Sequence, residues 1–388
     1  MGLRKIVLLA GLAFPVIAVA FMNLFSGFTV EREVILNPEW FNIPASLLKA
    51  SDGGYFVLGS FEELWITKTG AEGHPLWTHR DPPVKGTGAQ FVSAAPAADG
   101  GVLICGHRHT GIPGNYGGLV IRLDKNGHEV SRIDPLIQHP SQVDQFIGVV
   151  TCSRWGDGFM VSGGVRVTER SPEGKTITHG FPTIMRLHND GTLMWQKNID
   201  GYFENPLIMA NDDLVFFGMG LQDSVEYGFL TRMDGDGNIR ATVKYPRSVL
   251  DAGCRWINHS ESSDSLQFVC NPDDPKAKTP IVELGPDLQI IRRTEFVLPD
   301  GMGVARAYLL PDGSLVISGN KHGKIQNFIP TLVEVGPDHS IKAEYEFLGL
   351  DEGLITDFMP TDKPGEYVTV RPIGSPGRRT AITFLKRN

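Results

Sequence analysis

The chain predicts an all-β fold, a seven-bladed β-propeller of four-stranded blades, and three observations carry that expectation. A Gly/Asp turn running into a short apolar strand recurs seven times. The recurrences lie about 50 residues apart. The last unit lacks one strand, and an unassigned strand at the front of the body can supply it. With 388 residues, 45 Gly and 26 Pro, the composition suits many short strands joined by turns, and 41% hydrophobic with 21% charged residues is that of a globular chain.

The repeated strand reads "DGGYFVLG" at 52–59, "DGGVLICG" at 99–106, "GDGFMVSG" at 156–163, "NDDLVFFG" at 211–218, "SDSLQFVC" at 263–270, "PDGSLVISG" at 311–319 and "PGEYVTVR" at 364–371. The ends of these segments are 47, 57, 55, 52, 49 and 52 residues apart. Each is preceded by a short apolar strand such as "PASLLKA" or "VARAYLL". Six are followed by a loop, a third strand such as "TIMRLH", and a tight hairpin such as "HNDGTLMWQKN" at 188–198. Four strands at this period are the signature of a propeller blade, whose faces are buried only when blades stack radially. "KNG", "NDG" and "GDGN" supply the positive-φ residues that tight turns require. That hairpin therefore joins the third strand to the outermost one, with Trp195 packing between blades. After residue 371 only one further strand remains, so "FTVEREVIL" at 28–36 is expected to complete the seventh blade and tie the chain ends together.

The phrase formed by the Gly/Asp turn, the third strand ending in Leu-Asp or Leu-His, the Asn-Gly turn and the following Trp resembles the secreted bacterial propellers with quinoprotein-type and kelch-like repeats. The resemblance spans nearly all of 28–388 and implies a fold. Trp77 and Trp195 hold the tryptophan-docking position of quinoprotein blades while four other repeats lack Trp, so no pyrroloquinoline quinone or other cofactor is expected.

Ahead of the body, Arg4 and Lys5 precede an uncharged run at 6–25, the pattern of an export leader. Two readings stay open. Ala18-Val19-Ala20 suits cleavage, whereas the run is also long enough to span a bilayer as an anchor. The expected division is thus 1–27 as leader or anchor and 28–388 as a single propeller, periplasmic or secreted, touching membrane only through the N-terminal segment. A net charge of −8 argues against nonspecific binding of nucleic acid, which needs a basic face, and no nucleic-acid partner is expected.

Four cysteines suit an oxidising compartment. Cys254 and Cys270 lie in consecutive strands around the turn "HSESSDS", and folding that hairpin sets them opposite each other as a candidate disulfide. Cys105 and Cys152 either pair between neighbouring repeats or stay buried thiols.

Motifs of chemistry are sparse. Asp234, Asp236 and Asn238 begin like a calcium loop, but Ile239 and Tyr245 stand where the pattern demands Gly and Glu, so a plain hairpin turn is expected. His107 and His109 share a strand face with no third ligand near in sequence. "IGSPGR" has the wrong spacing for a nucleophile elbow, and "GNKHGKI" is one residue short of a phosphate loop. Loops joining second and third strands share one face of a propeller. Here they hold ten basic and eight acidic residues in a chain of net −8, and they vary most in length. The candidate binding residues are therefore His107, Arg108, His109, Arg166, Lys321, His322, Arg378 and Arg379. The expected role is a non-catalytic platform for an envelope or secreted protein, an immunity or inhibitor protein being one form of it, or for an anionic glycan. The alternative is an envelope enzyme, a quinone-dependent dehydrogenase or a sugar lyase or hydrolase, with its site at the channel mouth.

Overall fold

The computed structural model describes residues 28–37, 43–60, 64–81, 89–109, 116–133, 145–170, 176–199, 202–209, 212–222, 225–246, 249–250, 254–260, 265–270, 278–299, 302–321, 329–346, 357–373 and 379–388. The described elements are 28 strands, arranged as seven four-stranded antiparallel sheets. Blade 1 runs outward from β2 (Ile43–Lys49) through β3 (Tyr55–Ser60) and β4 (Leu64–Thr69) to β5 (Pro75–Asp81). Blade 2 is β6 (Ala89–Pro96), β7 (Val102–His109), β8 (Tyr116–Leu123) and β9 (Glu129–Ile133). Blade 3 is β10 (Gln145–Trp155), β11 (Gly158–Arg170), β12 (Thr176–Leu187) and β13 (Leu193–Asn198). Blade 4 comprises β14 (Tyr202–Ile208), β15 (Leu214–Gln222), β16 (Val225–Met233) and β17 (Ile239–Pro246). Blade 5 comprises β18 (Cys254–Ser260), β19 (Ser265–Cys270), β20 (Thr279–Leu284) and β21 (Ile290–Phe296). Blade 6 is β22 (Gly303–Leu309), β23 (Leu315–Lys321), β24 (Ile329–Val335) and β25 (Ile341–Glu346).

The seventh blade closes the ring as the sequence predicts. From the axis outward it is β26 (Asp357–Pro360), β27 (Glu366–Ile373), β28 (Arg379–Arg387) and the N-terminal strand β1 (Phe28–Asn37). Phe28 pairs with Arg387 and Asn37 with Thr380. The Arg387 N–H also reaches the carbonyl of Gly365, in the tight turn after β26, so β1 starts on the face that carries the tight turns.

Burial explains why the blades stack. The described core divides into seven clusters, one at each blade interface. Phe56 and Ile66 of blade 1 meet Ile104 and Leu119 of blade 2, and so on round to Val368 and Ile382 of blade 7 against Val57 and Trp65 of blade 1. Where their side chains are described, second and third strands such as β4 and β19 are buried on both faces, which is why the sequence reads there as continuous apolar runs. The innermost strands of blades 1 to 6 each carry a register shift near the axis, as between Pro44 and Ser46 or Val304 and Arg306. Such bulges re-aim the side chains that follow.

Candidate functional site

The two faces of the ring differ in chemistry. On the turn face, the leading Asp caps its own hairpin: Asp124 Oδ1 accepts from the N–H groups of Asn126 (2.8 Å) and His128 (2.9 Å), and Asp234 Oδ1 from those of Asp236 (3.1 Å) and Asn238 (2.7 Å). Those bonds hold both carboxyls below the ordinary carboxylate range, the N–H four residues on, of His128 and of Asn238, being the largest cause in each. Asp234 Oδ2 further takes Arg240 Nη2 at 2.8 Å and Asn238 Nδ2 at 3.2 Å. The residues that resemble a calcium loop thus form a hairpin turn in which protein donors engage both carboxylate oxygens of Asp234.

The same turns form the joint between blades. The Trp77 indole donates to Lys125 O (2.8 Å) of the next blade, and a Cβ on Gly127 would lie 2.7 Å from that ring. Trp195 repeats this under Gly237, with Trp155 edge-on at 5.8 Å. Both indoles lie between blades, as the sequence predicts. On third strands, Arg122 and Lys68 have side chains only 2% exposed and pin the first turn of their own blade through Asp99 and Asp52. Arg122, Arg186 and Arg232 reach on to the next blade, at the carbonyls of Asn189 (2.9 Å), Gly235 (3.0 Å) and Pro286 (2.6 Å).

The loop face receives the sequence-derived candidates, but in two separate arcs. Blades 2 and 3 hold His107, Arg108 and His109 on β7 and Arg166 on β11. Blades 6 and 7 hold Lys321 at the end of β23 and Arg379 at the start of β28. His107 is half-buried and Arg379 exposed, while the side chains of Arg108, His109 and Arg166 lie outside the described part. His322 and Arg378 lie wholly outside the described residues. Lys321 is buried and spans its blade to Glu344 and to Glu346 (2.9 Å) on β25. Burial opposes its charge, and the two carboxylates more than offset this, lifting the ammonium pKa. Its ammonium therefore braces the root of the loop after β23.

The candidate disulfide is formed: Cys254 and Cys270 are direct partners in the β18–β19 ladder and are bonded. It ties the loop-face ends of an innermost and a second strand, so the loops on either side share one fixed root. Cys105 and Cys152 are buried, unbonded thiols in the core between blades 2 and 3. Burial, then contact with Cys152, pushes the Cys105 thiol well above its ordinary pKa.

A polar wall on the axis escaped the sequence analysis. Arg306 of β22, 39% exposed, approaches Asp357 Oδ2 (3.4 Å) and Ser46 Oγ (3.5 Å), joining blades 6, 7 and 1. Asp357 is buried and accepts from Ser46 Oγ (3.2 Å) and from the N–H groups of Leu47 (2.8 Å) and Phe358 (2.9 Å). Burial raises its pKa, with Arg306 pulling the other way. The neighbouring Tyr308 phenol is pushed far above its ordinary value, by burial first and the Asp357 charge second. Further round the axis, Thr151 Oγ1 meets Ser93 Oγ at 3.3 Å. The signal was present: "VARAYLL" places Arg306 within an innermost strand, where a charge has only the axis to face.

Among the described residues no group of three or more His, Cys, Asp and Glu is placed to hold a metal. No protein-family model matches the chain, and no curated protein matches it in sequence. Among solved structures, the chain is similar to the polysaccharide lyase Uly1, with a TM-score of 0.51 and 10% identity over 93% of this chain and 100% of that one. A protein of unknown function from Dyadobacter fermentans matches with a TM-score of 0.47 and 12% identity, over 93% of this chain and 100% of that one. The WD40 domain of Pan2 from Neurospora crassa matches at 0.43 and 12%, over 79% and 75%. These likenesses are of fold alone.

Proposed function

We propose that this propeller is an extracytoplasmic binding platform that engages an envelope or secreted protein, or an anionic glycan, through its loop face. One observation carries the reading: the turn face spends its acceptors and donors on its own hairpins and joints, while on the loop face the described strand ends are braced from beneath. The Cys254–Cys270 bond and the buried Lys321 each fix a strand end there. Structural disulfides belong to oxidising compartments, which supports export. Because β1 begins on the turn face, a retained 6–25 anchor would hold that face to the membrane and present the loop face outward.

The test compares the full chain with Arg378→Glu/Arg379→Glu and with a turn-face control, Asp190→Asn. Immobilised proteins are challenged with a panel of sulfated and uronic-acid glycans and with native envelope extract. Ligand lost only from the loop-face variant supports the platform; binding unchanged by it, or lost equally in the control, overturns it. A second reading, a sugar lyase or hydrolase acting at the axis, is favoured by Arg306, Tyr308 and Asp357. It predicts turnover of a polysaccharide that Tyr308→Phe and Arg306→Ala abolish.

A further inference from the structure

Blade 3 departs from the other six blades in the length of its middle strands. The β11–β12 ladder runs from Phe159–Leu187 at the turn face through to Arg170–Thr176, twelve pairs in all. The outermost strand β13 covers only Thr183 to Leu187 of β12. Residues 176–182 of β12 therefore pair with β11 on one side and, among the described residues, with no strand on the other. On the inner side β10 follows β11 as far as Gln145–Val167, so the extension on the loop face is three-stranded up to the Val167–His179 pair and a two-stranded ladder beyond it. Its outer edge is about 23 Å long at about 3.3 Å per residue.

Proteins guard long strand edges with charge, proline or bulges, because a row of unpaired N–H and C=O groups is a template for another strand. Each of the seven outermost strands at the perimeter carries at least one Lys, Arg, Asp or Glu. The segment "TITHGFP" at 176–182 carries none of these, and its one proline, Pro182, sits at the base where β13 takes over. The ladder with β11 shows no register shift along it. Among the described residues, this uncharged outer edge of seven residues is longer than the four-residue one at Tyr116–Leu119 of β8, and it lies on the face assigned to binding.

We propose that this edge receives an extended segment of a partner protein, about five to seven residues, as an added β-strand. The proposal rests on the loop-face reading and names the class of partner within it. Main-chain hydrogen bonds supply the affinity in such pairing, and alternate side chains of the guest supply specificity. A second copy of this chain is the less suited occupant. Antiparallel pairing of two β12 edges would turn one ring over, so that the chains leading into Phe28, with their common apolar run at 6–25, left in opposite directions.

The test uses a phage-displayed library of random linear twelve-residue peptides selected on the purified full chain, followed by hydrogen exchange and two proline variants, Ile177→Pro and Thr178→Pro. Adjacent N–H groups in a strand point to opposite edges, so one variant removes an outward donor and leaves the β11 ladder whole. Selected peptides should slow amide exchange across 176–182, and the outward variant should weaken them at least tenfold with its melting temperature unchanged. Protection elsewhere on the loop face, with affinity unmoved by either proline, overturns the edge site and leaves the platform standing. Protection of the turn face overturns both, and a selection that yields no peptide overturns the edge site alone. Sedimentation as a dimer that the outward variant returns to monomer assigns the edge to a second copy and overturns the proposal.

Discussion

In blades 2, 3 and 4 an arginine on the third strand crosses to the next blade, whereas blades 5 and 6 carry Glu283 and Glu334 at the equivalent position and blade 7 carries Phe384. The turns it would reach differ as well. Gly73, Gly127, Gly191 and Gly237 hold the positive-φ position in blades 1 to 4, but Leu288 and His339 hold it in blades 5 and 6. There the side chain of the turn itself fills the joint: Leu288 is buried, its carbonyl accepts from the Tyr245 hydroxyl, and His339 Nδ1 meets Thr294 Oγ1. Burial pushes Tyr245 up to about 12, so it remains the donor. Glu334 turns to Tyr367 and Arg387, each at 2.6 Å, at the closing blade. The difference teaches that the joint demands a filled and satisfied contact, not a given residue. The arc that leaves the repeat also holds the disulfide and the Arg306–Asp357 pair.

The largest break of this comparison is Arg122→Ala, which strands Asp99 and the turn at Asn189. It should cost about 3 kcal/mol, because the buried guanidinium's charged hydrogen bonds to Asp99 and to the Asn189 carbonyl are lost while Asp99, 49% exposed, falls back on solvent. Glu283→Ala, which removes one hydrogen bond to Ser265 (2.9 Å), should cost about 1 kcal/mol. Urea unfolding of both variants measures the gap, and equal losses would abolish the distinction between the two arcs.

Next comes the disulfide. Cys254→Ala/Cys270→Ala opens a bridge of sequence separation 16 and should lose about 3 kcal/mol, matched by the effect of reductant on the parent chain. Cys105→Ala/Cys152→Ala should lose less and be blind to reductant, since those thiols are unbonded.

A smaller effect separates the two kinds of turn. Gly237→Ala forces a side chain into positive φ with its Cβ 2.9 Å from Trp195, a cost of about 2 kcal/mol. His339→Gly should stay within about 1 kcal/mol of the parent, because relieved backbone strain offsets lost packing. Thermal unfolding of the pair checks this, and a larger loss at 339 than at 237 would reverse the assignment.

The smallest expected effect is a pH slope. The Ser340 hydroxyl, then its N–H and Lys342, hold Asp338 down to about 2, and the N–H of Thr192 leads those that lower Asp190. Folded carboxyls with depressed pKa bind fewer protons than unfolded ones, so their stabilisation is full above the ordinary carboxylate pKa and disappears as pH falls from about 5 toward 2. Melting temperatures of the parent and Asp338→Asn should differ at pH 7 and converge near pH 2. A constant difference would show that Asp338 acts through packing and not through charge.

Much of this was legible in the sequence because it is either periodic or local. The "DG" turns recur because every blade needs the same positive-φ corner, and the missing fourth strand after 371 points to 28–36 because a propeller without that strand leaves an open edge. Cys254 and Cys270 could be paired from the hairpin between them, since strand register is fixed once its turn is placed. The site was less legible. Lys321 reads as a surface loop cation, yet its blade folds two carboxylates of β25 over it. The candidates on blades 2 and 3 and on blades 6 and 7 stand apart, because position along the chain says nothing of angle around the ring. Seven-fold periodicity, closure by the first strand and the hairpin disulfide were therefore decided by the sequence alone, through turn chemistry and alternation that act over a few residues. Only the closed ring decided that Arg306, Asp357 and Ser46, from three blades and as much as 311 positions apart, form one polar wall. It also decided that β12 outruns its neighbour β13, because contacts across the axis and the relative reach of adjacent strands exist only once the blades are stacked.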